Sequence, residues 1–314
     1  MMAATAPKAS WRPEDAPRLD GKRAIVTGAT SGLGYETALA LARHGAATIL
    51  AARNRDRATQ ILAEIRREVE GVDVRFERLD LGSLASIAGF AERVSAVGPI
   101  DILVNNAGVM GLEKRTLTED GFETQIGVNY LGHFALTARL KDALGAAPSG
   151  GRVVNLASLA HRRVTLDIED LQSERSYNPM RAYGRSKLAM LIFSLELQQR
   201  SERNRWNVQS VAAHPGWART EIINNGIGGG RPSLKAWLLH RAFGLVAQPA
   251  PQGALPQLYA AMAPEAKGGA YYGPDGLGET RGSPGLARVF PQAEDPIDGR
   301  RLWAVSEKLT GLTF

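Results

Sequence analysis

A doubly wound, Rossmann-like parallel α/β sheet in a single domain is the fold class this sequence predicts, and three observations predict it. Short runs that are apolar throughout recur along the chain, as in "RAIVTG" (23–28), "ATILAAR" (47–53) and "IDILVNNAG" (100–108). Helical stretches of a dozen or more residues separate them. A Gly-rich turn closes the first run. Strands buried on both faces and alternating with helices mark a parallel sheet covered on each side, and right-handed crossovers wind such a sheet in two directions.

The elements follow in order. After 23–28, "LGYETALALARHG" carries Leu33, Thr37 and Leu41 on one helical stripe, and Gly45 stops it. The second strand, 47–53, leads into a charged helix over about 55–70, and "DVRFERLDL" (73–81) is the third strand. A helix over about 83–97 precedes the fourth strand, and a further helix precedes "RVVNLAS" (152–158). The next helix holds Tyr183 and Lys187 and runs to about Gln199. "WNVQSVAAHPG" (206–216) is the sixth strand, "GAYYG" (269–273) a last short one, and "RRLWAVSEKLTG" (300–311) a C-terminal helix. Residues 217–250 break the alternation with a Gly-rich turn and an apolar stretch rich in Trp, Leu and Phe. Too few residues remain for a second domain, so this segment reads as a helical lid over a site. Residues 1–19 read as an N-terminal extension of a domain spanning 20–314.

Composition narrows the function classes. The chain has 314 residues, is 44% hydrophobic and 22% charged, and has no cysteine. Disulfides, thiolate metal sites and a cysteine nucleophile are excluded. A net charge of +6 suits an anionic partner, but acids alternate with the arginines in "RNRDRATQILAEIRREVE", and no basic run or nucleic-acid-binding motif appears. No apolar run reaches membrane-spanning length and the N-terminus lacks a secretory h-region, so the expectation is a cytoplasmic protein with no nucleic-acid partner, as monomer or homo-oligomer.

The chemistry lies at predicted strand ends. In "TGATSGLG" (27–34), Gly28, Gly32 and Gly34 permit a tight turn and close backbone approach, and the following helix N-terminus offers free N–H groups to a pyrophosphate. The spacing is G-x3-G-x-G, and taken alone it reads equally as an ordinary tight connection. Tyr183 and Lys187, four apart, share a helix face. By themselves they are one half-buried phenol and one solvated ammonium. Paired in a site, the lysine would lower the phenol from its usual value near 10 toward a working range.

Together, "NNAG" (105–108), Asn129 in "GVNYLGHF", Ser158, and Tyr183 with Lys187 resemble the short-chain dehydrogenase/reductase family, in order, over about residues 20–275. "SLAHR", "AYGRSKLAM", "HPGWARTE" and "YYGPDGLGETRG" look most like its retinol-dehydrogenase-like branch, bacterial members included. The resemblance implies a catalytic set of Asn129, Ser158, Tyr183 and Lys187. Ser158 would bond the substrate oxygen, Tyr183 would transfer its proton, Lys187 would also bind the nicotinamide ribose, and Asn129 would hold a water chain to Lys187. It implies cofactor contacts from Gly28, Thr30, Ser31, Gly32, Leu33, Gly34, Arg53, Asn54, Asp80, Leu81, Asn106, Ala107, Gly108, Tyr183, Lys187, Pro215, Gly216 and Thr220. The interval of 24 residues between Ser158 and Tyr183 is about twice the family's usual one. It matches the branch and puts the usual tetramer in doubt.

At the end of the second strand, where NAD-specific sheets place a carboxylate for the adenosine ribose, stand Ala52 and then Arg53. Arg53 offers a charge-assisted bond to a 2′-phosphate, which points to NADP(H); the alternative is one more surface arginine. The expected activity is NADP(H)-dependent alcohol dehydrogenation or carbonyl reduction of a lipophilic or aromatic small molecule. Two rivals stand beside it: a non-catalytic dinucleotide-binding sensor or scaffold, and an epimerase or dehydratase using the same residues. His161 and His214 have no His or carboxylate partner at ligand spacing along the chain, so no metal is expected.

Overall fold

The structure is a computed structural model that describes residues 11–218 and 247–314. Among these, the strands are β1 (Arg23–Thr27), β2 (Ala47–Ala52), β3 (Val74–Arg78), β4 (Ile102–Asn105), β5 (Gly151–Leu156), β6 (Val208–Ala213), β7 (Tyr271–Pro274) and β8 (Pro284–Leu286). They form one sheet in the order β3-β2-β1-β4-β5-β6-β7-β8. Pairing is parallel from β3 to β7, and β8 adds an antiparallel edge. β1 lies between β2 and β4, so the winding reverses there and opens a crevice at the strand carboxyl ends.

Why the strands are apolar throughout is visible in their alternation. Ile25, Ile49, Leu103 and Val153 pack into one core, while Val26, Leu50, Val104 and Val154 pack into the other. Helices α1 (Gly32–Arg43) and α2 (Arg55–Glu68) cover the second core. The first is covered by α3 (Leu84–Ser95), α5 (Gly132–Gly145) and α6 (Pro179–Asn204), with a short α4 (Thr124–Ile126) before α5.

Three features were not expected from sequence. Helix α7 (Ala250–Met262) lies against α1 although it contains Gly253 and Pro256. Gly253 eases the contact: a Cβ there would meet Leu33 Cδ2 of α1 at 3.0 Å and the Ala218 Cβ at 2.5 Å. β8 has only three residues, Pro-Gly-Leu, and its pairing with β7 comes from the returning loop, not from propensity. Between α4 and α5, Gly127–Leu131 form a π-helical turn.

The C-terminal helices α8 (Pro291–Glu294) and α9 (Pro296–Thr310) close the first core. Gln292 brackets the long 159–182 interval by accepting from the Leu166 N–H and donating to the Leu166 carbonyl, each at 3.0 Å. Trp11 and Leu19 are buried in the second core, Trp11 edge-on to Tyr259 at 5.2 Å. No helix among the described residues is long and apolar enough to cross a membrane.

Candidate active site

A large cleft of about 1680 Å³ opens at the carboxyl ends of the strands. It is larger than the few hundred to roughly 1,000 Å³ typical of drug-sized ligands, so it has room for a dinucleotide and a second molecule.

At one end, the turn after β1 runs over Gly28 and Gly32, with φ of 66° and 52°, into α1. Ser31 is the N-cap, and its hydroxyl makes no capping bond, which leaves the first-turn N–H groups and the dipole facing the cleft. Gly34 packs so closely that a Cβ would stand 2.3 Å from the Gly28 carbonyl oxygen and 2.6 Å from Asn106 Nδ2. Asn106 holds this turn to β4 by donating to the Thr27 carbonyl at 2.7 Å. The cradle is shaped for backbone contact with a phosphate group, and NAD(P) fits the donors present.

Beyond β2, Ala52 is buried and Arg53 is exposed, with no hydrogen bond or ion pair among the described residues. Arg57 lines the same corner and was missed in the sequence. Arg53 stands just before the Asn54 cap of α2 and Arg57 in its first turn, and both line the cleft. Asn54 spends its Oδ1 on capping α2. Asp80 accepts from the Gly82 N–H at 2.9 Å.

The reacting end gathers Ser158, Tyr183 and Lys187. Ser158 caps the turn after β5, accepting from the Ala160 N–H at 3.2 Å, and the Tyr183 phenol stands beside it in the cleft. Lys187, 4% exposed, donates to the Leu156 carbonyl at 2.9 Å. Burial lowers its ammonium to about 8.

The lowering of Tyr183 expected from its spacing to Lys187 does not appear. Burial pushes the phenol up, and the neighbouring Ser158 hydroxyl works against it. The lysine is desolvated too, and its Nζ is turned to the Leu156 carbonyl.

Asn129 does not line the cleft. It is fully buried in the π-turn, accepting from the Val109 N–H at 2.7 Å and donating to the Val109 carbonyl and Ser186 Oγ. Gly108 separates it from the lysine: a Cβ there would lie 3.1 Å from Asn129 Oδ1 and 3.6 Å from Lys187 Nζ. Behind this turn, His133 Nδ1 donates to the Asn129 carbonyl and Nε2 meets Thr27 Oγ1 at 3.0 Å. Burial depresses His133 to about 3, so it is neutral.

Thr30, Leu33, Leu81, Ala107, Pro215 and Gly216 also line the cleft. Thr220, and residues 219–246 of the lid expected over 217–250, lie outside the described residues. Only along the chain does His214 lack a carboxylate partner. In space its Nε2 meets Glu279, 65 residues on, at 2.9 Å.

The short chain dehydrogenase family pattern matches residues 22–226. The chain belongs to that family. Mouse retinol dehydrogenase 13 is 44% identical over 307 residues, covering 94% of this chain and 86% of the relative. Mouse polyprenol dehydrogenase is 40% identical over 314 residues, covering 97% and 88%. A crystal structure of an uncharacterized protein from Mycobacterium paratuberculosis superposes with a TM-score of 0.79 at 34% identity, covering 97% and 98%. The short-chain dehydrogenase therefore sits in the retinol-dehydrogenase-like branch. Members use NAD(P) and act on small molecules, so NAD(P)-dependent alcohol oxidoreduction is its chemistry.

Proposed function

We propose that this short-chain dehydrogenase is an NADP(H)-dependent alcohol dehydrogenase or carbonyl reductase for lipophilic substrates. The observation that carries the reading is the convergence of Ser158, Tyr183 and Lys187 on one cleft that also exposes the N-terminus of α1. When bound, the nicotinamide exchanges a hydride with the carbon of the substrate.

Each residue has a part set by its surroundings. Gly28, Ser31, Gly32 and Gly34 would hold the pyrophosphate, and Arg53 with Arg57 the adenosine end. Ser158 donates to the substrate oxygen and stabilises charge developing on it. Tyr183 holds the transferable proton on its hydroxyl, next to Ser158. Burial keeps that proton in place until cofactor and substrate alter the local field. Lys187 would turn from Leu156 toward the ribose, and Asn129, one layer behind, would fix the 108–109 wall beside it.

The substrate end is walled by Met110, Leu112, Val164, Met180 and Trp217, side chains that suit an apolar molecule. Retinol and polyprenol, which appear in the names of the two mouse relatives, are apolar alcohols of this kind. Consumption of NADPH with a panel of lipophilic aldehydes and ketones tests the reading, because neither a cofactor-binding scaffold nor an epimerase consumes it. Tyr183→Phe keeps the ring and removes the proton. Turnover is expected to fall by about a hundred- to ten-thousandfold, while NADPH still binds. Retention of most of kcat in that variant would remove Tyr183 from its role.

A further inference from the structure

Behind Ser158, three strand-end loops meet at one carboxylate. Glu279 lies in the loop between β7 and β8, at a φ of 55° directly after Gly278 at 63°. Two successive left-handed residues, one of them not glycine, are a conformation that the surroundings must hold.

Those surroundings are specific. Glu279 Oε2 accepts from His214 Nε2 at 2.9 Å and from Arg162 Nη2, and Oε1 accepts from the Arg288 N–H at 3.1 Å. The ring of His214 is fixed from its other side, where Nδ1 accepts from the Gly216 N–H at 3.1 Å. Arg162 has no other partner among the described residues, and its Nε is buried without one.

Arg162, the residues that follow His214 and the two neighbours of Glu279 belong to different walls of the cleft. Arg162 is in the turn that begins at Ser158, His214 opens the turn through Pro215 and Gly216, and Gly278 and Thr280 are the far wall itself. Glycines make the fit possible: a Cβ on Gly216 would stand 2.4 Å from the Thr280 carbonyl oxygen, and one on Gly273 would collide with the His214 ring. The Trp217 N–H donates to that Thr280 carbonyl at 2.7 Å. The loop thereby also holds the point where the chain leaves toward residue 219.

We propose that Glu279 is a positioning residue that ties the loops after β5, β6 and β7 together and so sets the depth and chain-length selectivity of the substrate end. It touches neither the reacting atoms nor the cofactor cradle. Its effect reaches substrate through Arg162, the 214–217 turn and the 278–280 wall. This rests on the oxidoreductase reading of the same cleft. Burial by itself raises the Glu279 carboxyl, but the His214 and Arg162 hydrogen bonds outweigh it and hold it at about 2. The tie therefore stays charged across the working pH range.

The test uses the full chain with NADPH, taking hexanal and dodecanal as probes. Glu279→Leu has similar size and no acceptor, Glu279→Gln keeps one carbonyl for His214, and Arg162→Met removes the cation alone. In Glu279→Leu, KM for dodecanal is expected to rise about tenfold, the effect of losing one positioned contact. Its kcat, and KM for hexanal, should move much less, and Glu279→Gln should recover part of the loss. Hydrogen exchange on the cofactor-free protein should show Gly216, Trp217 and Thr280 losing protection together.

A parallel fall of kcat with both aldehydes, or unchanged exchange at these amides, would overturn the assignment. If Glu279→Leu does not fold, Arg162→Met decides, with the same dodecanal-selective rise in KM expected. Wild type inactive toward both aldehydes would count against the oxidoreductase reading, and the exchange data would still decide the tie.

Discussion

Removing Arg53 should shift cofactor choice by an amount the site makes calculable. Arg53 is exposed and pairs with nothing among the described residues, so no existing bond has to break before it meets a 2′-phosphate. A hydrogen bond to a charged group contributes about 1.5–3 kcal/mol, or roughly ten- to hundredfold in affinity. Exposure favours the lower end, because solvent and salt screen the pair. Arg57 in the same corner retains part of the attraction. Arg53→Ala is therefore expected to lower the NADPH-to-NADH ratio of kcat/KM about tenfold, and Arg53→Ala with Arg57→Ala to lower it further. Adding Ala52→Asp, which places a carboxylate against the phosphate and within reach of a free ribose, should reverse the preference. The assay is initial rate against each cofactor at low and high salt, and the wild-type preference should shrink with salt. A wild type that prefers NADH, or a ratio indifferent to Arg53 and Arg57, would refute this account of the adenosine end and leave Tyr183 untouched.

Three further outcomes are expected. Lys187→Met should abolish turnover yet stabilise the ligand-free protein at pH 7, because burial holds the lysine at about 8, well below its unfolded value. The gain is up to about 3 kcal/mol below pH 8 and vanishes as pH rises past the unfolded value. Urea unfolding at pH 7 and pH 10 measures it, and a variant less stable at both would contradict it. His133, held neutral at about 3 by burial, and His161, at about 4, must take up protons on unfolding. Stability should fall as pH drops below about 6.5, and His133→Phe should flatten that slope. Gly34→Ala should destabilise the fold by about 1–3 kcal/mol, the usual range for an overpacked site, and weaken cofactor binding, as calorimetry would show. Normal NADPH affinity in that variant would mean the turn relaxes more freely than a 2.3 Å approach allows.

Local pattern carried much of this protein's organisation. Apolar runs such as 23–28 and 47–53 had to be central strands because both of their faces are buried, and that demand is written residue by residue. The glycine turn, Arg53, Ser158 and the Tyr183–Lys187 spacing were legible for the same reason, since each depends on neighbours a few positions away. Tertiary structure decided the rest. Only packing against α1 explains a helix that holds Gly253 and Pro256, and only the π-turn places Asn129 behind the wall instead of on it. The direction of the Tyr183 shift depended on burial, which no spacing encodes. The tie at Glu279 joins residues 65 and 117 positions apart in the chain. Such contacts form only when the sheet brings its strand ends together, because side chains so distant in sequence have no local geometry that relates them.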